Sequence, residues 1–136
     1  MPAPSYDGSV SPGLEYLRRY QTALNTYNSK QYEEAQRLFS ALLAGSNAND
    51  MTDNCVYWMG EAAMQRGLTG EAIALFSNVI EYRGADKVDD ALLSRASAYT
   101  REGNTAQARS DLDRLLRDFP GSEHTGMARQ MLRALR

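Results

Sequence analysis

An all-α architecture of three antiparallel helix pairs closed by a seventh helix, a right-handed α-solenoid, is predicted by three observations. The chain repeats itself, with Ala35, Ala72 and Ala108 recurring at spacings of 37 and 36 residues. Each repeat carries two apolar stripes at helical period. No four-to-eight residue alternating β-branched run, the mark of a strand, occurs anywhere.

In the second half of each repeat the marker alanine is followed four positions later by a large apolar residue: Phe39, Phe76 or Leu112. Leu42 and Leu43, Val79 and Ile80, and Leu115 and Leu116 complete the faces at i+7 and i+8. The first halves carry Tyr20, Ala23, Leu24 and Tyr27, then Val56, Met59, Gly60 and Ala63, then Leu92, Ala96 and Tyr99. Gly67 and Gly103 stand where a left-handed C′ residue would end a first helix. Asn104 with Gln107 reads as a capping pair opening the next helix. Gly84 and Pro120 end second helices. The expected pairs are 14–29 with 31–45, 52–66 with 69–82, and 88–102 with 105–118. They fall into repeats of about 14–47, 52–84 and 88–120.

A last helix over 123–135 puts Met127, Ala128, Met131, Leu132 and Leu135 on one side and Arg129, Arg133 and Arg136 off it. It would cover the final apolar face of the array. Residues 1–13, MPAPSYDGSVSPG, lack the basic and apolar regions of a signal peptide and read as a flexible leader. Glycine within a helix costs about 1 kcal/mol against alanine, so Gly60 reads as a site where two helices touch.

With 136 residues the chain is one domain. Its net charge of −2, without a basic stripe, points away from nucleic acid. No run of about 18 apolar residues is present to span a membrane. The lone Cys55 cannot form an internal disulfide and reads as a small core residue at a helix start. His124 is the only histidine, so no His pair or His–Cys set is available for a metal. It is expected on the surface or as a cap. Asp89 with Asp90, and Asp111 with Asp113, are neighbours that a helix turns apart, and read as solvated. No phosphate loop and no base–nucleophile set occurs, so no enzyme, no cofactor and no metal are expected.

Partner binding is expected on the first helices, which line the inner side of such arrays. The candidate residues are Gln21, Asn25 and Asn28, then Asn54, Tyr57, Glu61 and Met64, then Leu93, Ser97, Thr100 and Arg101, with Asp90 beside them. The mixture of aromatic, apolar and polar groups suits a protein or peptide partner. Adjacent Tyr57 and Trp58 cannot share a helix face: Tyr57 is assigned to the inner surface and Trp58 to the seam between repeats.

Helix pairs of this length with the small–large pattern resemble tetratricopeptide repeats over about 20–136. Within that class, YWMGEA at 57–62, Gly67, EAIALFSNVIEY at 71–82, VDDALL at 88–93 and DFPGS at 118–122 resemble the YbgF/CpoB family of the Tol–Pal system. Gly84 stands where that family has proline, AGSNAND at 44–50 replaces its Tyr-Pro-like repeat end, and its N-terminal coiled coil is not in the chain. The resemblance implies a non-catalytic periplasmic scaffold that coordinates envelope constriction during cell division, with Tol-system or cell-wall synthesis proteins as partners. The alternatives are a general repeat adaptor, cytoplasmic in location, or an outer-membrane assembly lipoprotein module with a different partner. Without the coiled coil, the chain is expected to be monomeric or weakly associating. The clamp by which chaperone-binding tetratricopeptide domains hold a C-terminal carboxylate maps onto Gln21, Asn25, Trp58, Asp90 and Ser94. Only the asparagine is retained there, and Asp90 would repel a carboxylate.

Overall fold

The computed structural model describes residues 12–45, 51–82 and 86–135. Most of the leader, Gly84, Arg136 and the greater part of the 44–50 segment lie outside them. Seven helices follow in order: α1 Pro12–Asn28, α2 Tyr32–Ala44, α3 Thr52–Gln65, α4 Thr69–Glu81, α5 Val88–Arg101, α6 Thr105–Asp118 and α7 Thr125–Ala134. No strand occurs among the described residues. Each helix packs on its sequence neighbours, and α3 also touches α5 directly. The first helices therefore gather on one side of a solenoid of helix pairs.

The turn between the helices of a pair is the same device three times. Lys30, Gly67 and Gly103 hold φ of 65°, 76° and 78°. In each turn the next residue's N–H donates to the carbonyl five back: Gln31 to Thr26 at 3.2 Å, Leu68 to Ala63 at 2.9 Å and Asn104 to Tyr99 at 2.8 Å. These are Schellman closures of α1, α3 and α5. The sequence marked the two glycines; the first turn makes the same bend with a lysine. Gln107 N–H donates to the Asn104 side chain at 3.2 Å, so Asn104 caps α6 as expected.

Within each pair the backbones approach at small residues. Ala23, Ala35, Ala72, Ala96 and Ala108 have no exposed surface, and Gly60 is buried. A Cβ on Gly60 would lie 2.6 Å from the Phe76 ring, inside any tolerable contact. The glycine is thus the gap into which Phe76, itself fully buried, fits.

The core forms two clusters. Ala23, Ala35, Phe39, Leu42 and Cys55 make the first; a larger one runs from Ala63 through Phe76, Leu92 and Leu112 to Ala128 and Leu135. Cys55 takes a hydrogen bond with the Tyr16 hydroxyl at 3.3 Å, and burial raises its thiol pKa, which makes it an inert core group. On α7, Ala128 and Leu135 are buried as expected of a cap, while Met127 is 51% exposed.

One expectation is corrected. Asp113 faces solvent, but Asp111 is only 3% exposed. The Arg95 guanidinium donates to both its oxygens, at 2.8 and 2.6 Å, and to Ser77 Oγ at 2.9 Å. This fork joins α5 to α6 and to α4. A carboxylate buried there is tolerated because the fork satisfies it.

Two predictions follow from this packing. Lys30→Gly relieves a left-handed strain of roughly 1–2 kcal/mol at a modest entropic cost, so thermal unfolding should shift up by a few degrees. Gly60→Ala gains helix propensity but must displace a buried ring, so it should destabilise the domain by about 1–3 kcal/mol in urea titration.

Candidate functional site

The inner face is centred on α3, where an aromatic chain crosses from the first repeat to the second. Tyr32 meets Tyr27 at 5.2 Å between ring centroids, Tyr27 meets Trp58 at 5.1 Å, Trp58 meets Tyr57 at 5.4 Å, and Tyr57 meets Phe76 at 5.8 Å. Trp58 packs on the first core cluster beside Tyr20, whose pKa is pushed up to about 12, chiefly by burial. Tyr57 packs on the second cluster, so the two adjacent rings diverge into different cores yet touch edge to edge.

The polar end of Tyr57 belongs to a small cluster. Tyr57, Glu61 and Ser94 of α5 lie beside one another, close enough to perturb each other's charge. Burial raises the pKa of both Tyr57 and Glu61; for Glu61 the neighbouring Ser94 and Tyr57 hydroxyls and Arg101 pull the other way without winning. Lys87 at the start of α5 lies with its Nζ 5.5 Å from the Tyr57 ring centroid. Tyr27 lies near Gln65, and its pKa is also raised, first by burial and then by the Glu61 charge.

Of the other expected inner residues, Gln21 and Asn25 are exposed and bonded to each other at 3.0 Å, and Asn28 is exposed at the end of α1. Asn54 is half-buried; its amide nitrogen points at Met51 sulfur at 3.5 Å, and its Oδ1 is buried without a hydrogen bond from the described residues. Arg101 crosses to the Met64 carbonyl at 3.0 Å, tying the end of α5 to the end of α3. Ser97 and Thr100 turn their hydroxyls back onto their own helix, to Leu93 and Ala96 carbonyls at 3.3 and 2.8 Å.

Two residues leave the inner face. Met64 is 7% exposed and Leu93 packs partly buried against the same core. The expected positions that stay outside the core are Asn54, Tyr57 and Glu61 on α3 and Asp90, Ser97, Thr100 and Arg101 on α5. One step along a helix is a turn of about 100°, so Gln65 and Ser94, next to Met64 and Leu93, face another way. Ser94 was legible from that period.

A second polar cluster lies at the other end of α5. Asp90 Oδ1 is 2.7 Å from His124 Nε2, Ser122 Oγ donates to Asp89 at 2.6 Å, and His124 N–H donates to Ser122 Oγ at 3.1 Å. His124 is the N-cap residue of α7, but its ring makes no cap bond. Asp89 and Asp90, expected to be solvated and divergent, both reach the segment between α6 and α7. In the first turn of α5 they flank it from two sides.

Comparison with known proteins supports the fold directly. The tetratricopeptide repeat family model matches residues 90–122. A search of curated protein sequences finds no relative of the chain. Among solved structures, the Yersinia enterocolitica type III secretion chaperone SycD, in complex with a peptide of the translocator YopD, is similar at 23% identity over 93% of this chain and 94% of that one, with a TM-score of 0.77. PcrH from Pseudomonas aeruginosa is similar at 17% identity over 93% and 95%, with a TM-score of 0.80. The second tetratricopeptide domain of human RPAP3, bound to an HSP70 peptide, is similar at 19% identity over 92% and 98%, with a TM-score of 0.73. The fold is that of a tetratricopeptide-repeat domain, and these neighbours are secretion chaperones and a peptide-bound repeat domain rather than YbgF/CpoB proteins. The periplasmic location expected from that resemblance is corrected by the same finding: the similar structures are type III secretion chaperones, not periplasmic Tol–Pal proteins.

Folding raises the Glu61 pKa, so the fold favours its protonated form. The associated stability is present below the ordinary carboxylate range and is lost as pH rises through the raised value. Glu61→Gln, which mimics the protonated group, should be more stable than the parent at pH 7. Urea titrations at pH 7 and pH 4 should show that advantage shrinking towards the acid side.

Proposed function

We propose that the chain is a non-catalytic protein-interaction scaffold that takes a peptide segment of a partner protein along its inner face, centred on Tyr57 and Glu61. The observation that carries this reading is the partly exposed Tyr57 ring, packed between Trp58 and Phe76, with Glu61 and Ser94 beside it at the middle of α3 and α5. A half-buried carboxylate beside a hydroxyl pair costs the fold stability, and fold stability is commonly given up where a surface has binding to do. The aromatic ring offers contact area with little side-chain entropy to lose, and the hydroxyls and carboxylate offer hydrogen bonds that fix a backbone.

The likeness to chaperones and repeat domains seen with bound peptides supports a ligand of the same kind. The Asp90–His124 contact and the retained Asn25 alone argue against the carboxylate clamp of chaperone-binding domains, so the segment is read as internal to its protein. The narrower Tol–Pal role rests on the sequence resemblance alone, from YWMGEA at 57–62 to DFPGS at 118–122; the scaffold reading does not depend on it.

Selecting peptides against the domain from a random displayed library tests the reading. Peptides so obtained should lose at least about 1 kcal/mol of affinity to Tyr57→Ala, with the helical signal unchanged. Trp58→Ala should instead destabilise the domain by roughly 3 kcal/mol or more, because Trp58 fills the seam. Selected peptides that bind Tyr57→Ala as well as the parent would place the binding surface elsewhere.

A further inference from the structure

We propose that Asp89, Asp90 and His124 form a binding site for a divalent transition ion of the zinc type, one that staples the first turn of α5 to the entry of α7. The three side chains come from two segments 34 residues apart and offer one imidazole nitrogen and two carboxylate oxygens, all within 4.8 Å of one another. His124 Nε2 and Asp90 Oδ1 are 2.7 Å apart. Two ligands at about 2.0–2.2 Å on one tetrahedral ion sit about 3.3–3.6 Å from each other, so Nε2 and Oδ1 need to part by less than about 1 Å to share an ion. All three side chains are half-buried, which limits competition from water while leaving an approach.

The surroundings fit as well. Ser122 donates to Asp89 and receives the His124 N–H, so one ligand is oriented by the hydroxyl and the other is held in place through its backbone. Outer hydrogen bonds of this sort fix ligand direction in metal sites. A cleft of about 420 Å³, lined by Asp86, Asp89, Asp118 and Ser122 among others, opens beside Asp89 and gives an entry path of negative charge. The donor set selects the ion: imidazole suits zinc-type ions, while calcium and magnesium take oxygen ligands. With a neutral ring that donates Nε2–H to Asp90, binding moves that hydrogen to Nδ1. With an imidazolium, binding releases one proton to solvent.

The ion would matter mechanically. The α6–α7 contact is the smallest between consecutive helices, so the cap is the element with most to gain from a tie to α5. Hydrogen exchange over residues 122–135 of tag-free protein, with and without Zn²⁺, tests the proposal, with Ca²⁺ and Mg²⁺ as controls. Zn²⁺ in excess over its dissociation constant should slow exchange in the parent by at least about tenfold, and Ca²⁺ and Mg²⁺ should not.

His124→Gln should abolish the effect. Asp89→Asn keeps the Asp90–His124 hydrogen bond and an acceptor for Ser122, so it separates an ion site from a hydrogen-bonded latch. It should weaken Zn²⁺ binding by calorimetry at least about tenfold. No Zn²⁺ effect in the parent, or an undiminished effect in either variant, would overturn the proposal.

Discussion

The structure turns on the missing side chain of Gly60. Phe76 can enter the space between α3 and α4 only because no Cβ stands there, and the ring then fills the middle of the larger core. The same ring carries Tyr57 at 5.8 Å, and Tyr57 in turn leans on Trp58, which closes the seam to the first repeat. A close approach of two backbones is thereby converted into the position of an inner-face aromatic. Dispersion contacts of this density are individually small and collectively decisive, which is why one absent methyl group can set the spacing of a repeat.

The polar groups are arranged on that frame. The bidentate Arg95–Asp111 pair joins three helices on the outer side, where a buried charge is matched by a fork of donors. The Tyr57–Glu61–Ser94 cluster faces the inner side, where burial disfavours the charge that Glu61 carries at neutral pH. The first is a satisfied structural contact and the second a strained one. A surface that binds a partner is expected to hold the strained kind, because the partner can supply what the fold withholds.

The repeat period, the small–large pattern and the two turn glycines were enough to place all seven helices, since each rests on a local rule: a stripe, a cap or a left-handed turn. The first turn was placed between 29 and 31, but its left-handed bend went unmarked because Lys30 adopts the glycine conformation with no sign in its side chain. The inner face was legible only to within one residue. Met64 and Leu93 differ from Gln65 and Ser94 by a single step along a helix, and a stripe drawn from sequence does not fix which edge of it turns inward. Asp111, Asp89 and Asp90 were misread, and the partner of His124 was missed, for a different reason. Their partners come from other helices, and no local spacing encodes the distance between α5 and the entry of α7.

A double-mutant cycle between Gly60→Ala and Phe76→Leu tests the central claim most directly. If the glycine exists to admit the ring, the cost of Gly60→Ala should largely vanish once Phe76 is trimmed, giving a coupling energy of at least about 1 kcal/mol. Costs that add to within about 0.5 kcal/mol would show that Gly60 and Phe76 act independently, and that the frame of the inner face is set by something else.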